Sequence, residues 1–215
     1  MNIILSDIEG TLTTGSSWRA LGRYYLKFAN PWAYRLFILR WLPRYLLVEL
    51  GLFNRRKAMT LWMKNEAALL KGWTRSEVLN LADWIVEQEM WPKRRIDVIQ
   101  ELQARKSSET QIVLVSSAYQ PFVEAFARHL DAAAIGSTLL YQQGELIGLS
   151  TPVNAYHQKA KNVRDRFNEE VVLAAYGDTA SDIPLLELSQ EAIAVYPDAE
   201  LREAAETRGW EILEK

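Results

Sequence analysis

Short, continuously apolar segments that alternate with helical segments constrain the fold of this chain most strongly. Ile3-Ile4-Leu5, Ile112-Val113-Leu114-Val115 and residues 171–176 have the composition of strands buried on both faces, and residues 193–195 form a shorter one. A hairpin is predicted over residues 138–149. Because parallel strands need helical crossovers that cover both faces of a sheet, the pattern predicts an α/β fold with a doubly wound parallel sheet.

A long helical segment separates the first two strands. It has a helical pattern from residue 18 to about residue 105, with breaks at Asn30-Pro31 and Asn54 and a kink expected at Pro43. The chain is therefore expected to divide into an α/β core and a helical cap domain inserted after strand one: residues 1–13 and 106–215 for the core, and residues 14–105 for the cap.

Composition excludes several classes of site. The chain has 215 residues and no cysteine, so it has no disulfide, thiolate zinc site or cysteine nucleophile. The lack of cysteine fits a reducing cytosol, and the first residues lack the regions of a secretory signal, so we expect a cytoplasmic protein. The longest apolar region, residues 32–53, is not predicted to span a membrane, because charged residues and a proline interrupt it: Arg35, Arg40, Pro43, Arg44 and Glu49.

The first strand runs directly into the motif Asp7-Ile8-Glu9-Gly10-Thr11-Leu12. In an extended backbone, Asp7 and Glu9 share one face while Ile8 points into the core. One carboxylate can then attack phosphorus while the other handles the proton of the leaving group. Gly10 allows the backbone to turn and to approach a ligand closely.

Three further polar clusters lie at strand ends or near a helix start. Ser116-Ser117 follows the second strand, Lys159 lies in a helix predicted over residues 155–167, and the motif from Gly177 through Asp178 to Asp182 follows the strand at 171–176. They supply a hydroxyl, a cation and carboxylates for a hard metal, which are the groups that stabilise a phosphoryl group in transfer.

With these four motifs in this order, the sequence resembles the haloacid dehalogenase superfamily of phosphohydrolases. It is most similar to the phosphoserine-phosphatase-like branch (subfamily IB), whose helical cap lies between the first and second motifs. The segment from Tyr196 to Trp210 is also similar to that branch. The resemblance implies a haloacid-dehalogenase-like Rossmannoid core and phosphatase activity that depends on Mg²⁺.

The resemblance also implies roles for individual residues. Asp7 would be the nucleophile and form an aspartyl-phosphate, and Glu9 would protonate the leaving alcohol and then activate water. Ser116 and Lys159 would hold phosphoryl oxygens. Phosphate binding is expected to involve the backbone and side chains of Gly10, Thr11, Ser116, Ser117 and Lys159. Magnesium is expected to be ligated by Asp7, by the backbone carbonyl of Glu9, and by Asp178, with Asp182 beside it or one shell further out.

The chain departs from the family pattern in three places. Glu9 stands where most of the superfamily has Asp. Ser116-Ser117-Ala118 stands where phosphoserine phosphatases have Ser-Gly-Gly, and Ser16-Ser17 stands near the position of the Glu that binds the amino group of their substrate. These departures argue against phosphoserine itself as the substrate.

Several candidate residues have simpler interpretations. Lys161 competes with Lys159 for the cationic role, and either lysine could lie on the surface. Ser116 could cap the helix that follows it, and Asp182 could act only as a helix cap. The two histidines, His129 and His157, are expected at helix ends or on the surface, although His157 is near enough to Lys159 to contact substrate.

The cap has an unusual charge pattern, because no acidic residue lies between Glu9 and Glu49. That segment is rich in aromatic residues, and it carries six cations: Arg19, Arg23, Lys27, Arg35, Arg40 and Arg44. One interpretation is a helical bundle packed with aromatic residues, with its arginines in water. The other is a surface that contacts anionic lipid or receives an amphiphilic phosphate ester. Nucleic acid is not an expected partner, because no recognised module is present.

The sequence therefore predicts a Mg²⁺-dependent phosphomonoester hydrolase that acts on a small phosphate ester selected by the cap. Two alternatives stay open at this stage. One is a lipid-phosphate phosphatase, acting on lipids such as phosphatidylglycerophosphate at the membrane surface. The other is a scaffold that retains the fold without turnover. The sequence does not define the oligomeric state.

Overall fold

The buried strands form a six-stranded sheet in the order β3-β2-β1-β6-β7-β8, and all neighbouring strands are parallel. This sheet is the core of a computed structural model that describes residues 2–214. Its strands are β1 (Asn2–Ser6), β2 (Thr110–Tyr119), β3 (Ala133–Ser137), β6 (Val171–Gly177), β7 (Glu191–Val195) and β8 (Glu211–Leu213). A separate antiparallel hairpin consists of β4 (Leu139–Gln142) and β5 (Glu145–Leu149).

Helices cover both faces of this sheet. Ile3 and Leu5 point into one apolar cluster and Ile4 points into the other, as alternation along a strand requires. The first cluster includes residues of α7 (His157–Arg166), α8 (Ile183–Leu186) and α9 (Ala199–Arg208). The second includes residues of α5 (Ile96–Ala104) and α6 (Gln120–Ala127). The predicted doubly wound α/β fold is confirmed.

Four helices between β1 and α5 form the helical part of the cap. They are α1 (Ser17–Phe28), α2 (Pro31–Glu49), α3 (Arg55–Leu69) and α4 (Arg75–Ile85). A capping box is present at the start of α4, where Thr74 and Glu77 exchange hydrogen bonds. A π-helical turn at Val86–Met90 and a 3-10 turn at Trp91–Lys93 lead from α4 back towards the core.

The cap contacts the core at several places, including the hairpin and the end of α5. The hairpin pairs with the turn after α3, because the amide of Gly72 donates to the carbonyl of Leu146 at 2.9 Å and the amide of Leu146 donates to the carbonyl of Trp73 at 2.8 Å. After α5, Arg105 forms ion pairs with Glu191 and Glu211 at the start of β7 and β8. The exact boundary of the cap at residue 105 stays a prediction.

Two strands of the sheet were not predicted. β3 contains Ala133-Ala134 and Gly136, which have low strand propensity, and β8 is three residues long. Both lie at edges of the sheet, where short or weak strands are common. Within residues 2–214, no helix combines the length and apolar character needed to cross a membrane.

Candidate active site

The predicted site residues meet at the carboxyl end of the sheet. β1 lies between β2 and β6, so the segments that follow these three strands are neighbours in space. Asp7 follows β1, Ser116 and Ser117 lie in the last part of β2, and Asp178 follows β6. In doubly wound folds, ligands bind at this end of the sheet.

Asp7, Lys159 and Asp182 form a buried group of charges. The Lys159 ammonium donates to Asp7 Oδ1 and to Asp182 Oδ1, each at 2.6 Å, and these side chains are at most 7% exposed. Burial raises the pKa of the Asp7 carboxyl well above its usual value, and Lys159 opposes that rise. Burial also disfavours the ammonium, but the charges of Asp182 and Asp7 raise the pKa of Lys159 above its usual value. Lys159 is therefore a fixed cation against Asp7.

A third carboxylate, Asp178, completes an acidic cluster. Oxygen atoms of Asp7, Asp178 and Asp182 lie within 4.8 Å of one another. Burial and the charge of Asp182 raise the pKa of Asp178 to about 7, and the Thr11 hydroxyl donates to this carboxyl at 2.9 Å. Lys159 supplies one positive charge to three carboxyl groups, and carboxylate oxygens are the kind of ligand that Mg²⁺ prefers.

Gly10 allows the loop after β1 to approach this cluster. Its φ is +95°, and a Cβ atom at this position would lie 1.9 Å from Asp178 Oδ2. The Gly10 amide donates to the carbonyl of Thr13 at 2.8 Å, and its carbonyl accepts from Arg95 Nε at 3.1 Å. Glycine at this position therefore brings the first motif against the acidic residues of the fourth.

The side chain of Glu9 is outside the acidic cluster and points towards the cap. Its carboxylate accepts a hydrogen bond from the Ser17 hydroxyl at the start of α1, and it lines the cavity beneath the cap. Loss of surrounding water raises the pKa of Glu9 above its usual value. A carboxyl whose pKa is raised and that faces a cavity is suited to donate and recover a proton. Metal ligation by the backbone carbonyl of Glu9 stays a prediction.

Ser116 and Ser117 lie near the carboxyl end of β2. Ser116 is buried, and its hydroxyl accepts from the amide of Ala118 at 3.3 Å. The alternative that Ser116 caps the next helix is wrong, because α6 begins at Gln120 and has no side-chain cap. Ser117 lines the cavity, and its carbonyl accepts from the Ser137 hydroxyl at 2.8 Å.

Asn154 is a buried residue that the sequence did not single out. Its side-chain amide donates to the carbonyl of Ser116 at 2.8 Å and to the carbonyl of Ile135 at 3.0 Å, so it holds β2 and β3 together beside the site. Asn162 of α7 donates to Asn154 Oδ1 at 2.9 Å and fixes the orientation of this amide. The only sequence signal for it was an Asn shortly before the Lys159 helix.

Lys161 and the two histidines lie away from the buried charges, and Asp182 has a further role beside its contact with Lys159. Lys161 is exposed and pairs with Asp165 one helical turn later. Asp182 does not cap α8 with its side chain; its second oxygen accepts from the amide and hydroxyl of Thr179. His129 stacks on the Trp91 ring with centroids 4.2 Å apart, and His157 is exposed.

A cavity of about 500 Å³ lies between this site and the cap. Glu9, Ser17 and Ser117 line its end nearest the catalytic motifs, and a second carboxyl, Glu66, lines it from α3. The rest of the wall is apolar or aromatic, and its residues are Trp18, Tyr45, Met59, Trp62, Met63, Ala118 and Tyr119. A small ester can therefore place an apolar leaving group against the cap.

The chain is similar to one protein family and to several individual proteins. The profile of haloacid dehalogenase-like hydrolases matches residues 4–187. A Mycobacterium tuberculosis protein named as a probable phosphatase is 26% identical over 147 residues, which cover 66% of this chain and 51% of that protein. Another protein of that organism, named phosphoserine phosphatase SerB1, is 27% identical over 220 residues, covering 96% and 68%. The chain thus spans about half the length of the first of these relatives.

The fold also occurs among solved structures. A protein of unknown function from Bordetella pertussis Tohama I superposes with a TM-score of 0.81 at 19% identity, and the match covers 100% of this chain and 99% of that one. At this level of identity, the likeness extends to the fold.

Proposed function

The chain belongs to the haloacid dehalogenase-like hydrolase family, and on this premise we propose that it is a Mg²⁺-dependent phosphomonoester hydrolase that works through an aspartyl-phosphate. The main support for the proposal is the buried pairing of Asp7 with Lys159 inside a cluster of carboxylates, together with Glu9, two residues after Asp7, which lines the cavity beneath the cap. The substrate would be a small phosphate ester chosen by the cap.

In the first step, a carboxylate oxygen of Asp7 forms a bond to phosphorus as the ester P–O bond breaks. The electron pair of that bond leaves with the alcohol oxygen, and Glu9 supplies the proton that neutralises it. Lys159 stabilises the charge on the phosphoryl oxygens, and the Ser116 hydroxyl is proposed to bind one of them. Mg²⁺, held by Asp7, Asp178 and the Glu9 carbonyl, would neutralise further negative charge on the phosphoryl group.

In the second step, Glu9 is a carboxylate and accepts a proton from water as the water oxygen attacks phosphorus. The bond between Asp7 and phosphorus breaks, and phosphate and the free Asp7 carboxylate result. The hydrogen bond from Ser17 keeps Glu9 directed into the cavity during both steps. Because Glu9 has one more methylene than Asp, its carboxyl lies deeper under the cap than an Asp carboxyl would.

Phosphate release from p-nitrophenyl phosphate, measured with and without Mg²⁺, tests this function. We expect release that requires Mg²⁺ and that is lost in Asp7→Asn, which keeps the size of the side chain but removes the nucleophilic oxygen. Asp165→Asn, which changes an exposed carboxyl on α7, is the matched control and should retain full activity. Folded protein that binds Mg²⁺ but releases no phosphate from a broad panel of esters would favour the non-catalytic scaffold instead.

A second candidate, a lipid-phosphate phosphatase at the membrane surface, is supported by the exposed face of α2. Trp32 is 73% exposed, Leu39 is 65% exposed and Leu50, just past its end, is 71% exposed. Arg35, Arg40 and Arg44 lie on the same helix, and no acidic residue lies between Glu9 and Glu49. Apolar and cationic side chains together suit an anionic bilayer. A second copy of this face would bring like charges together.

Sedimentation with lipid vesicles tests the membrane candidate. We expect binding to vesicles that contain phosphatidylglycerol, weaker binding at high salt, and no binding to phosphatidylcholine alone. Arg40→Glu should weaken binding, whereas Arg164→Glu, the same change of charge on exposed α7, should not. Equal binding by these two variants would contradict the candidate.

A relative is named as a phosphoserine phosphatase, but this chain has Ser16-Ser17 near the position of the family's amino-binding Glu, so phosphoserine is not proposed as the substrate.

A cytoplasmic location is proposed because the chain has no cysteine.

A further inference from the structure

Glu66 is a buried carboxyl in the cavity wall that the proposed reaction does not use. It lies on α3 and is 4% exposed. Its Oε2 atom is 3.0 Å from the Tyr119 hydroxyl. Its Oε1 atom is buried and has no hydrogen-bond partner among residues 2–214. Because an unpaired buried oxygen costs free energy, such an atom in a cavity wall indicates a place for a ligand donor.

The Tyr119 hydroxyl does not fully satisfy this carboxyl. It lies 2.8 Å from the carbonyl of Met63 as well as 3.0 Å from Glu66 Oε2, and both are acceptors when Glu66 is ionised. A hydroxyl has one proton, so it can donate fully to only one of them. Tyr119 therefore does not satisfy an ionised Glu66 by itself, and the Oε1 atom stays open to a donor from a ligand.

The rest of the cavity favours a cation as that donor. The two titratable carboxyls in its lining are Glu9 and Glu66, and no Lys or Arg is among the lining residues that the structure describes. Trp18, Trp62 and Tyr119 supply aromatic surface, which attracts cationic nitrogen. A carboxylate on the leaving group would instead meet two carboxyls without a compensating cation.

We infer that Glu66 binds a cationic nitrogen on the leaving alcohol, so that the preferred substrates are phosphate monoesters of amino alcohols that carry no carboxylate. The inference rests on the proposed phosphatase activity. In this arrangement the phosphoryl group lies at Asp7 and Lys159, the alcohol oxygen faces Glu9, and the apolar chain of the alcohol lies along the aromatic wall. The nitrogen then reaches Glu66 Oε1.

The protonation of Glu66 agrees with this geometry. Burial raises the pKa of Glu66 to about 8, hydrogen bonds from Tyr119 and Trp62 oppose the rise, and the charge of Glu9 adds to it. The other titratable groups that interact with Glu66 are Tyr25 and Tyr34, whose own pKa values are also raised. An ammonium favours the ionised carboxylate, so its binding should release a proton near neutral pH and strengthen as pH rises towards 8.

Turnover of two matched esters tests the inference. Aminobutyl phosphate and pentyl phosphate have similar length, but only the first carries an ammonium. We expect kcat/KM to be at least about tenfold higher for aminobutyl phosphate, as a charge-assisted hydrogen bond at a buried site allows. Glu66→Gln should remove this preference by raising KM for the amine, so that the ratio of kcat/KM for the two esters falls towards one. Glu87→Gln, an exposed carboxyl in the cap, should keep the preference.

Binding to an inactive variant separates this inference from the phosphatase proposal. Asp7→Asn is titrated calorimetrically with both esters, alone and combined with Glu66→Gln. Tighter binding of the amine that depends on Glu66 supports the subsite even if the wild-type protein releases no phosphate, and that result would overturn only the phosphatase. Equal binding and equal turnover of the two esters by a protein that hydrolyses p-nitrophenyl phosphate would overturn the subsite. If Glu66→Gln does not fold, the comparison of the two esters in Asp7→Asn decides alone.

Discussion

The ammonium group of Lys159 is almost completely buried, and it forms ion pairs with two carboxylates. Its Nζ atom is 2.6 Å from both Asp7 and Asp182, which come from segments far apart in the sequence. Desolvating three charges is costly, and the pairing recovers that cost only while all three are present. The same cation that would stabilise a phosphoryl group is therefore part of the stability of the core.

Replacing Lys159 should destabilise the fold as well as stop turnover. In Lys159→Met, the two buried carboxylates lose their partner, and we expect the free energy of unfolding to fall by about 3–5 kcal/mol at neutral pH. Urea unfolding measures this change. Lys161→Met removes an exposed lysine from the same helix and should change the free energy by no more than about 0.5 kcal/mol. Equal stability of the two variants would mean that the pairing is not structural.

Asn154 shows how elements are held at the site. It lies in the loop before α7, and its side chain spans the carbonyls of Ser116 on β2 and Ile135 on β3. The register of these two strands shifts between Val115 and Tyr119, so backbone pairing alone does not fix the end of β2. The two hydrogen bonds from the Asn154 side chain fix the end of β2 against β3.

Loss of the Asn154 amide should affect both stability and activity. Asn154→Ala leaves two buried carbonyls with fewer donors, and we expect a loss of about 2–3 kcal/mol in the free energy of unfolding. Because Ser116 moves with the end of β2, kcat for p-nitrophenyl phosphate should also fall. Asn162→Ala, which removes only the outer partner, should have a smaller effect on both. A larger effect at Asn162 would contradict this order.

The sequence predicts those helices and strands whose side chains form a clear apolar pattern. β1, β6 and the helices of the cap follow from apolar runs and caps, and the fold class follows from their alternation. The sequence does not predict β3, because Ala133-Ala134 and Gly136 form no clear apolar pattern and the position of the strand depends on pairing with β2.

The burial of Glu66 and Asn154 is not predicted from the sequence for a different reason. A polar residue in a helix or loop has the same local appearance whether it is exposed or buried, and only the packing of distant segments decides which.

Across the whole molecule, the cap and the core both contribute to the wall of the cavity that Glu9 lines. The core supplies the buried charges after β1 and β6, and the cap supplies most of the aromatic wall and Glu66. The acidic cluster joins segments that follow different strands, so a metal bound there would link the first motif to the last. Binding of a metal at this cluster would therefore stabilise the folded core.

Magnesium should raise the thermal stability of the protein. At a concentration about 100 times its Kd, a ligand that binds only the folded state adds about 2.7 kcal/mol, so we expect Tm to increase with Mg²⁺. Differential scanning calorimetry measures this shift. Asp178→Asn removes one carboxylate of the cluster and should abolish most of it, whereas Asp83→Asn in the cap should keep it. A shift that survives in Asp178→Asn would place the metal elsewhere.

Acid-quench mass spectrometry of the enzyme during turnover is the most direct test of the aspartyl-phosphate at Asp7. With p-nitrophenyl phosphate and Mg²⁺, we expect a phosphoryl group on the peptide that contains Asp7. We also expect a larger phosphorylated fraction in Glu9→Gln, because that variant lacks the base that activates water while the activated leaving group still departs. Phosphate release without any phosphorylated Asp7 in either protein, or continued release by Asp7→Asn, would contradict the aspartyl-phosphate mechanism.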